Sequence, residues 1–192
     1  LVTGHTGFKG TWMALVLKSL GANVLGYSLP PSNDPNIFEL LKLDEKIQSI
    51  LGDIRDKVQL RDVCKGFRPE FVFHLAAQSL VRDSYDDPLY TFETNIIGTA
   101  NILQAIKEAG EIRSAVIITT DKVYEDKETD YSHKEDDKLG GLDPYSSSKA
   151  GAEMVINSYL KSFFNPKDYK KFHKTLIASA RAGNVIGGGD WL

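Results

Sequence analysis

Tyr145 and Lys149 stand four residues apart, directly after Pro144. On a helix that spacing puts a phenol and an ammonium on one face. A cation beside a phenol stabilises phenolate and lowers the tyrosine pKa toward use as a base near neutral pH. A second group suited to proton transfer, Thr120-Asp121-Lys122, follows the apolar run 114–119; Asp121 there fits an acid or a plain turn cap. A third pattern, Thr3-Gly4-His5-Thr6-Gly7-Phe8-Lys9-Gly10, spaces glycines at 4, 7 and 10 between a short apolar run and a helical pattern. Glycine lets a backbone turn sharply and approach a pyrophosphate, which free N–H groups at the helix start then bind. His5 and Lys9 are expected to be exposed loop residues, with Lys9 adding charge near the phosphates.

The elements that must position these groups alternate along the chain. Strand-like runs cover residues 1–2, 23–27, 47–51, 70–75, 114–119 and 175–180; helical patterns cover 10–20, 57–65, 89–109 and 144–164. Most of the strand runs are continuously apolar, as for strands buried on both faces of a parallel sheet. Gly21 and Gly110 stand just past two helical patterns, where helix-ending glycines fall. The rhythm predicts a right-handed, doubly wound α/β domain with its site at the carboxyl ends of the strands. From Glu125 to Lys138 ten of fourteen residues are charged, too many to bury, so this stretch reads as a solvated loop.

Several residues then speak to the cofactor. The second strand ends at Ser28, where an acid normally meets the ribose, and residues 29–36 contain no Lys or Arg. A 2′-phosphate would meet no cation there, which favours NAD over NADP. Asp53 closes the third strand and suits either the adenine amino group or the cap of the following helix. His74-Leu75-Ala76-Ala77-Gln78 ends the fourth strand with small residues that would let a cofactor lie close to the backbone.

The glycine turn, His74-Leu75-Ala76-Ala77, Asn95-Ile96-Ile97-Gly98-Thr99 and Tyr145…Lys149 resemble the extended short-chain dehydrogenase/reductase superfamily over essentially the whole chain. Longer strings resemble its nucleotide-sugar dehydratase branch. They are Thr120-Asp121-Lys122-Val123-Tyr124-Glu125, the run from Asp136 to Tyr145, and Arg181-Ala182-Gly183-Asn184-Val185-Ile186-Gly187-Gly188-Gly189-Asp190-Trp191. Sister families usually carry Asp-Glu where this chain has Asp121-Lys122, and the Asp-Lys pair resembles enzymes acting on CDP-glucose. The resemblance implies a Rossmann-type NAD-binding domain that oxidises C4 of the sugar, eliminates water across C5 and C6, and reduces C6. It implies Tyr145 with Lys149 as the base at the 4-hydroxyl, Thr120 polarising the 4-oxygen, and Asp121 as the acid for the departing 6-hydroxyl. Lys122 is either the base at C5 or a group steadying Asp121. Expected NAD contacts are Gly4, Thr6, Gly7, Phe8, Gly10, Ser28, Asp53, Ile54, Leu75, Ala76, Ala77, Tyr145, Lys149 and Asn95; for Asn95 a helix-interior hydrogen bond serves equally well. Gln78, Arg82 and Asn184 are the expected substrate contacts, Arg82 fitting a plain surface arginine as well. The family also implies a homodimer through helices 89–109 and 144–164. The competing readings are a dTDP-glucose 4,6-dehydratase, a 4-epimerase, and a silent NAD-sensing domain; the last two leave Asp121-Lys122 or Tyr145 and Lys149 without use.

Composition bounds these readings. The 192 residues carry 23 Lys and Arg against 26 Asp and Glu, a net charge of −3, so no basic excess exists for nucleic-acid binding. A single cysteine, Cys64, excludes an internal disulfide and multi-cysteine metal sites, and the four histidines are scattered, so no metal is expected. No apolar stretch reaches membrane-spanning length, which points to a cytoplasmic enzyme or binding domain. Leu1-Val2 before Thr3-Gly4, without Met, and the glycine-rich close read as a fragment. Residues 1–192 would be the dinucleotide-binding domain, with the substrate-binding region starting at about 183–192.

Overall fold

The computed structural model describes residues 1–127 and 131–190; Glu128, Thr129 and Asp130 of the charged stretch, and Trp191 and Leu192, lie outside the described residues. Six strands, β1 (Val2–Thr3), β2 (Leu25–Ser28), β3 (Gln48–Leu51), β4 (Phe71–His74), β5 (Ser114–Thr120) and β6 (Leu176–Ala182), form one sheet. Its order is β3-β2-β1-β4-β5-β6 and every pairing is parallel. The strand order therefore reverses between β1 and β4, the switch point at which a doubly wound, Rossmann-type sheet opens a crevice.

The helices are α1 (Phe8–Ser19), α2 (Ile37–Leu40), α3 (Lys57–Phe67), α4 (Val81–Asp86), α5 (Pro88–Phe92), α6 (Gly98–Ala109) and α7 (Pro144–Ser162). A π turn, Glu93–Ile97, joins α5 to α6, so the helical pattern read over 89–109 is one rod with a wider turn at Asn95. The six strands and four long helical patterns all form. The short helices α2 and α4 carry too few turns to show a period. Gly21 (φ +84) and Gly110 (φ +70) end α1 and α6 in the left-handed conformation, as their positions imply.

One apolar layer joins Leu60 and Cys64 of α3, Ile102, Leu103 and Ile106 of α6 and Ile156 of α7 to β2, β4, β5 and β6. On the opposite face Ala14 of α1 and Phe38 of α2 pack with Val2, Val24 and Leu43. Strands β1 and β2 are accordingly buried throughout. At β6 the expectation of burial on both faces fails: Leu176, Ala178 and Ala180 are exposed while Ile177 is buried. Among the described residues no helix is long and apolar enough to cross a membrane, and no cluster of three or more His, Cys, Asp or Glu could hold a metal.

Apart from half-buried Asp137, the described residues of the charged stretch are exposed, as a solvated loop requires, and specific contacts tie them together. Tyr124 bridges Leu139 in antiparallel fashion, the Glu125 amide donates to the Lys138 carbonyl at 3.0 Å, and their side chains pair at 2.8 Å. His133 stacks on Tyr124, and Asp137 accepts hydrogen bonds from the Lys134 amide and the Tyr131 hydroxyl.

Candidate active site

The glycine turn is built from main-chain contacts. Gly4 has φ +76, and a β-carbon there would lie 2.7 Å from the Ala76 amide nitrogen. At Gly10 a β-carbon would lie 1.9 Å from the Gly4 carbonyl oxygen. These two glycines let α1 pack onto the turn and the turn pack onto the end of β4. Gly7 differs, because the nearest atom to a β-carbon there is 3.5 Å away. It sits at the N-cap of α1 with no side-chain hydrogen bond, and the first turn holds no acid. The first amides of α1, from Phe8 onward, thus face a surface without side-chain acceptors of their own, which fits a dinucleotide pyrophosphate.

Thr6 is buried, bonded to the Ser28 hydroxyl at 2.9 Å and donating to the Leu29 carbonyl at 2.8 Å. That tie fixes the end of β2 against the turn. Asp53 does not cap α3; Asp56 does, accepting from the Val58 and Gln59 amides. The Asp53 carboxylate instead accepts from Arg55, through the backbone amide at 2.8 Å and the guanidinium at 2.7 and 2.9 Å. Ile54 is buried against Gly98, where any β-carbon would strike its side chain. Leu75, Ala76 and Ala77 line the end of β4 half-buried, and the Leu75 and Ala76 amides donate to Thr3 Oγ1.

Two residues of the turn depart from expectation. His5 is fully buried, its Nε2 bonded to Ser49 Oγ at 2.7 Å and its ring filling the space beside Gly26. Burial pushes its pKa down to about 4. Lys9 is half-buried, and burial lowers its pKa, opposed by the nearby Asp190 carboxylate. The chain after β6 accounts for this. Trp12 donates from Nε1 to the Gly188 carbonyl at 2.9 Å, and Gly187 packs on Phe8, so the final described segment returns across the carboxyl edge of the sheet onto α1.

Helix α7 carries the phenol and the ammonium. It starts where Asp143 accepts from the Ser146 amide and Pro144 occupies the first turn, a strong N-terminal signal. Its buried face is polar, with Tyr145, Ser148, Lys149 and Glu153 beside Ala152 and Ile156. Tyr145 is buried and its backbone amide donates to Ser84 Oγ of α4 at 3.2 Å. Burial raises its pKa; a hydrogen bond with Thr120 opposes that, while Asp121 and Asp143 add to it. The predicted lowering by Lys149 is therefore not what the structure gives. The Lys149 ammonium donates to the Ile118 carbonyl at 3.3 Å, and burial, with help from Lys9, pulls its pKa down to about 8.

Asp121 and Lys122 stand at the end of β5, both exposed. The turn is capped by Thr120, which accepts from the Lys122 amide. The Asp121 carboxylate, which accepts from Thr120 Oγ1 at 3.1 Å, is thus free of that task. Thr120 touches both Tyr145 and Asp121, bringing the two ends of the predicted chemistry to one sheet edge.

The remaining candidates divide. Asn95, in the π turn, accepts from the Gln78 amide and donates to the Gln78 carbonyl and Ser148 Oγ, all within 2.9 Å. This is the internal hydrogen-bonding role. The Gln78 side chain is itself engaged, donating to Leu80 and Thr91 and accepting from the Leu80 amide, so it braces the loop after β4. Arg82 and Asn184 are exposed. Two residues gained importance only in the structure. Glu153, buried on α7, pairs with Arg181 of β6 at 2.9 Å; its position four residues after Lys149, on the same helix face, was the available signal.

Residues 1–167 match the family model described as GDP-mannose 4,6 dehydratase. The chain is 49% identical over 190 residues to the CDP-glucose 4,6-dehydratase of Salmonella typhimurium, covering 99% of this chain and 53% of that protein. It is 29% identical to the dTDP-D-glucose 4,6-dehydratase of Dictyostelium discoideum, over 97% of this chain and 44% of that one. The chain thus spans about half the length of these curated relatives. Among solved structures, the UDP-glucose 4-epimerase of Thermus thermophilus in complex with NAD superposes with a TM-score of 0.77 at 26% identity, covering 94% of this chain and 53% of that one. A dTDP-glucose 4,6-dehydratase of Streptomyces venezuelae with NAD bound gives a TM-score of 0.74 at 26% identity, over 93% and 54%. With a glycine turn at the sheet's switch point, a Tyr–Lys pair on α7 and a match that runs through both, the chain belongs to the GDP-mannose 4,6-dehydratase family.

Proposed function

We propose that this chain is the cofactor-binding and catalytic part of an NAD-dependent CDP-glucose 4,6-dehydratase, a hydro-lyase that yields CDP-4-keto-6-deoxyglucose and water. The observation that carries the reading is the convergence of Tyr145 with Asp121 and Lys122, through Thr120, at one sheet edge. NAD bound along the glycine turn supplies the acceptor for hydride leaving C4 and the donor that returns it to C6. Gly4, Thr6, Gly7, Phe8 and Gly10 would hold its pyrophosphate; Ser28, Asp53, Ile54, Leu75, Ala76 and Ala77 would flank its adenosine and nicotinamide halves. The absence of Lys or Arg from 29–36 supports NAD over a 2′-phosphorylated cofactor.

Tyr145 takes the proton of the sugar 4-hydroxyl. Burial disfavours its phenolate and the hydrogen bond with Thr120 opposes that; Lys149, charged below about pH 8, is the proposed cation at the cofactor. The resulting 4-ketone acidifies the proton at C5. Asp121 protonates the departing 6-hydroxyl, which leaves as water. Lys122, exposed beside it, takes the C5 proton or steadies Asp121, and a proton returns to C5 at the end. Arg82 and Asn184, both exposed, are the proposed contacts to the nucleotide phosphates.

The CDP-glucose assignment draws its support from the Salmonella typhimurium relative and the Asp121-Lys122 pair. A homodimer is proposed through α7 and the rod formed by α5, the π turn and α6, where Leu89, Ile97 and Met154 are exposed apolar residues. The test is product formation by the full-length protein, followed as base-induced absorbance of a 4-keto-6-deoxy sugar, with CDP-, dTDP-, GDP- and UDP-glucose in parallel. Product from CDP-glucose is expected, with Asp121→Asn at least about 100-fold slower. Turnover of a different nucleotide sugar overturns the CDP assignment. Epimerised sugar without dehydration overturns the dehydratase reading.

A further inference from the structure

The Glu153 carboxylate is buried and fully engaged. Its Oε1 accepts from Thr119 Oγ1 of β5 at 2.5 Å, and its Oε2 accepts from Ser179 Oγ at 3.1 Å and Arg181 Nη2 at 2.9 Å, both of β6. Burial works to raise this carboxyl, yet the bonds from Arg181, Thr119 and Ser179 hold it below the usual carboxylate range. A buried ion pair often adds little net stability compared with apolar residues of equal size, so stability alone does not account for its place here. Its geometry does more.

The guanidinium has a second working edge. Arg181 Nη1 donates to the Tyr124 hydroxyl and to the Glu135 carbonyl, each at 2.9 Å. Tyr124 leaves the Asp121–Val123 turn and Glu135 lies on the returning arm of the same excursion, so one side chain grips both arms. Arg181 also stacks over the Tyr124 ring at 4.9 Å. Two residues further on, Gly183 backs the Asp121 carboxylate, where a β-carbon would stand 3.2 Å from Oδ2. The helix bearing Tyr145 and Lys149 is thereby tied to the loop bearing Asp121 and Lys122 through a single planar fork. A lysine, a point charge on a flexible stem, cannot reproduce both edges.

We infer that Arg181 and Glu153 are positioning residues that register the Asp121–Lys122 loop against the Tyr145–Lys149 helix, and so set the rate of elimination across C5 and C6 apart from oxidation at C4. This rests on the dehydratase reading. Misplacing a proton-transfer group by about 1 Å costs on the order of 100-fold in rate, and the loop groups, not Tyr145, are those that Arg181 holds.

The test compares the unaltered full-length protein with Arg181→Met, Arg181→Lys and Tyr124→Phe, using CDP-glucose deuterated at C4 or at C5. For Arg181→Met kcat falls about 10- to 100-fold with KM within about twofold, the C5-deuterium effect on kcat grows and the C4-deuterium effect shrinks toward unity. Amide exchange of residues 131–139 quickens while α7 keeps its protection. Arg181→Lys lies between, and Tyr124→Phe, which deletes only the loop-side hydroxyl, shows the same pattern at severalfold amplitude. A fall in kcat with the two isotope effects in their original ratio overturns the inference. If Arg181→Met does not fold, Arg181→Lys and Tyr124→Phe decide, and isotope effects and loop exchange unchanged in both overturn it. If the unaltered protein makes no 4-keto-6-deoxy sugar from CDP-glucose, the parent reading falls and takes this inference with it.

Discussion

At the β1–α1 turn the working surface is main chain. Gly4 and Gly10 remove β-carbons that would collide with Ala76 and with the Gly4 carbonyl, and amides at the start of α1 lack side-chain acceptors. At the β5–α7–β6 corner the working surface is side chains, and each depends on a partner far away in sequence. Tyr145 meets Thr120, Lys149 meets Ile118, and Glu153 meets Arg181. Gly4 and Gly10 of the first region admit no β-carbon, whereas the second region depends on hydrogen-bonding partners that must not be lost. Binding by the backbone and chemistry by side chains thus fail in different ways.

That difference predicts how each region breaks. Tyr145→Phe is expected to lower turnover by about 1,000-fold with cofactor affinity and melting temperature nearly unchanged, measured by product assay, cofactor titration and thermal unfolding. Gly10→Ala places a carbon 1.9 Å from the Gly4 carbonyl oxygen and should cost about 3 kcal/mol of stability. Gly7→Ala, where the nearest atom is 3.5 Å away, should leave stability within about 0.5 kcal/mol and instead weaken dinucleotide binding. Equal destabilisation by the two would erase the distinction between a packing glycine and an approach glycine.

Acid sharpens the comparison, because the buried histidines lie on the glycine-turn side. Burial holds His5 at about 4 and His74 at about 3, below the ordinary 6.5. The unfolded chain therefore binds more protons than the folded one between those values, and stability is lost as pH falls from about 6.5 toward 4. A loss on the order of 3 kcal/mol per histidine is expected over that window, and replacing His5 with Gln should flatten the curve of denaturant midpoint against pH. Asp143→Ala removes the cap of α7 and should cost about 1 kcal/mol in chemical denaturation, with a smaller loss of turnover.

The smallest predicted effect joins the two regions. Lys9, on α1, is the cation that helps burial lower Lys149 to about 8. Above that value Lys149 loses its charge at the cofactor, so turnover should decline on the alkaline side. Lys9→Met should move that limb upward by about half a pH unit, on the order of 0.7 kcal/mol. An unmoved limb would mean that Lys9 acts only on the phosphates.

Much of this was legible before any coordinates. The parallel, doubly wound sheet follows from alternating runs, because parallel strands need crossover helices and those leave their own period. The glycine turn was legible because it is local and its signal is the absence of atoms. The buried state of His5 was not: a histidine between glycines reads as loop, and only Gly26 on β2 makes room for its ring. Nor was the cap of α3, since Asp53 and Asp56 lie one helical turn apart and both suit the position.

The sequence by itself determined the doubly wound sheet, the glycine turn and the four-residue Tyr–Lys spacing, because each is read from runs and spacings along the chain. Only the tertiary structure decided that Asn95 and Gln78 brace one another, that burial rather than Lys149 sets the Tyr145 pKa, and that Arg181 grips the Asp121 loop from β6. Those outcomes depend on which distant groups meet and on how much water is excluded where they do. Desolvation and hydrogen-bond partnership belong to the packed molecule, not to any stretch of its chain.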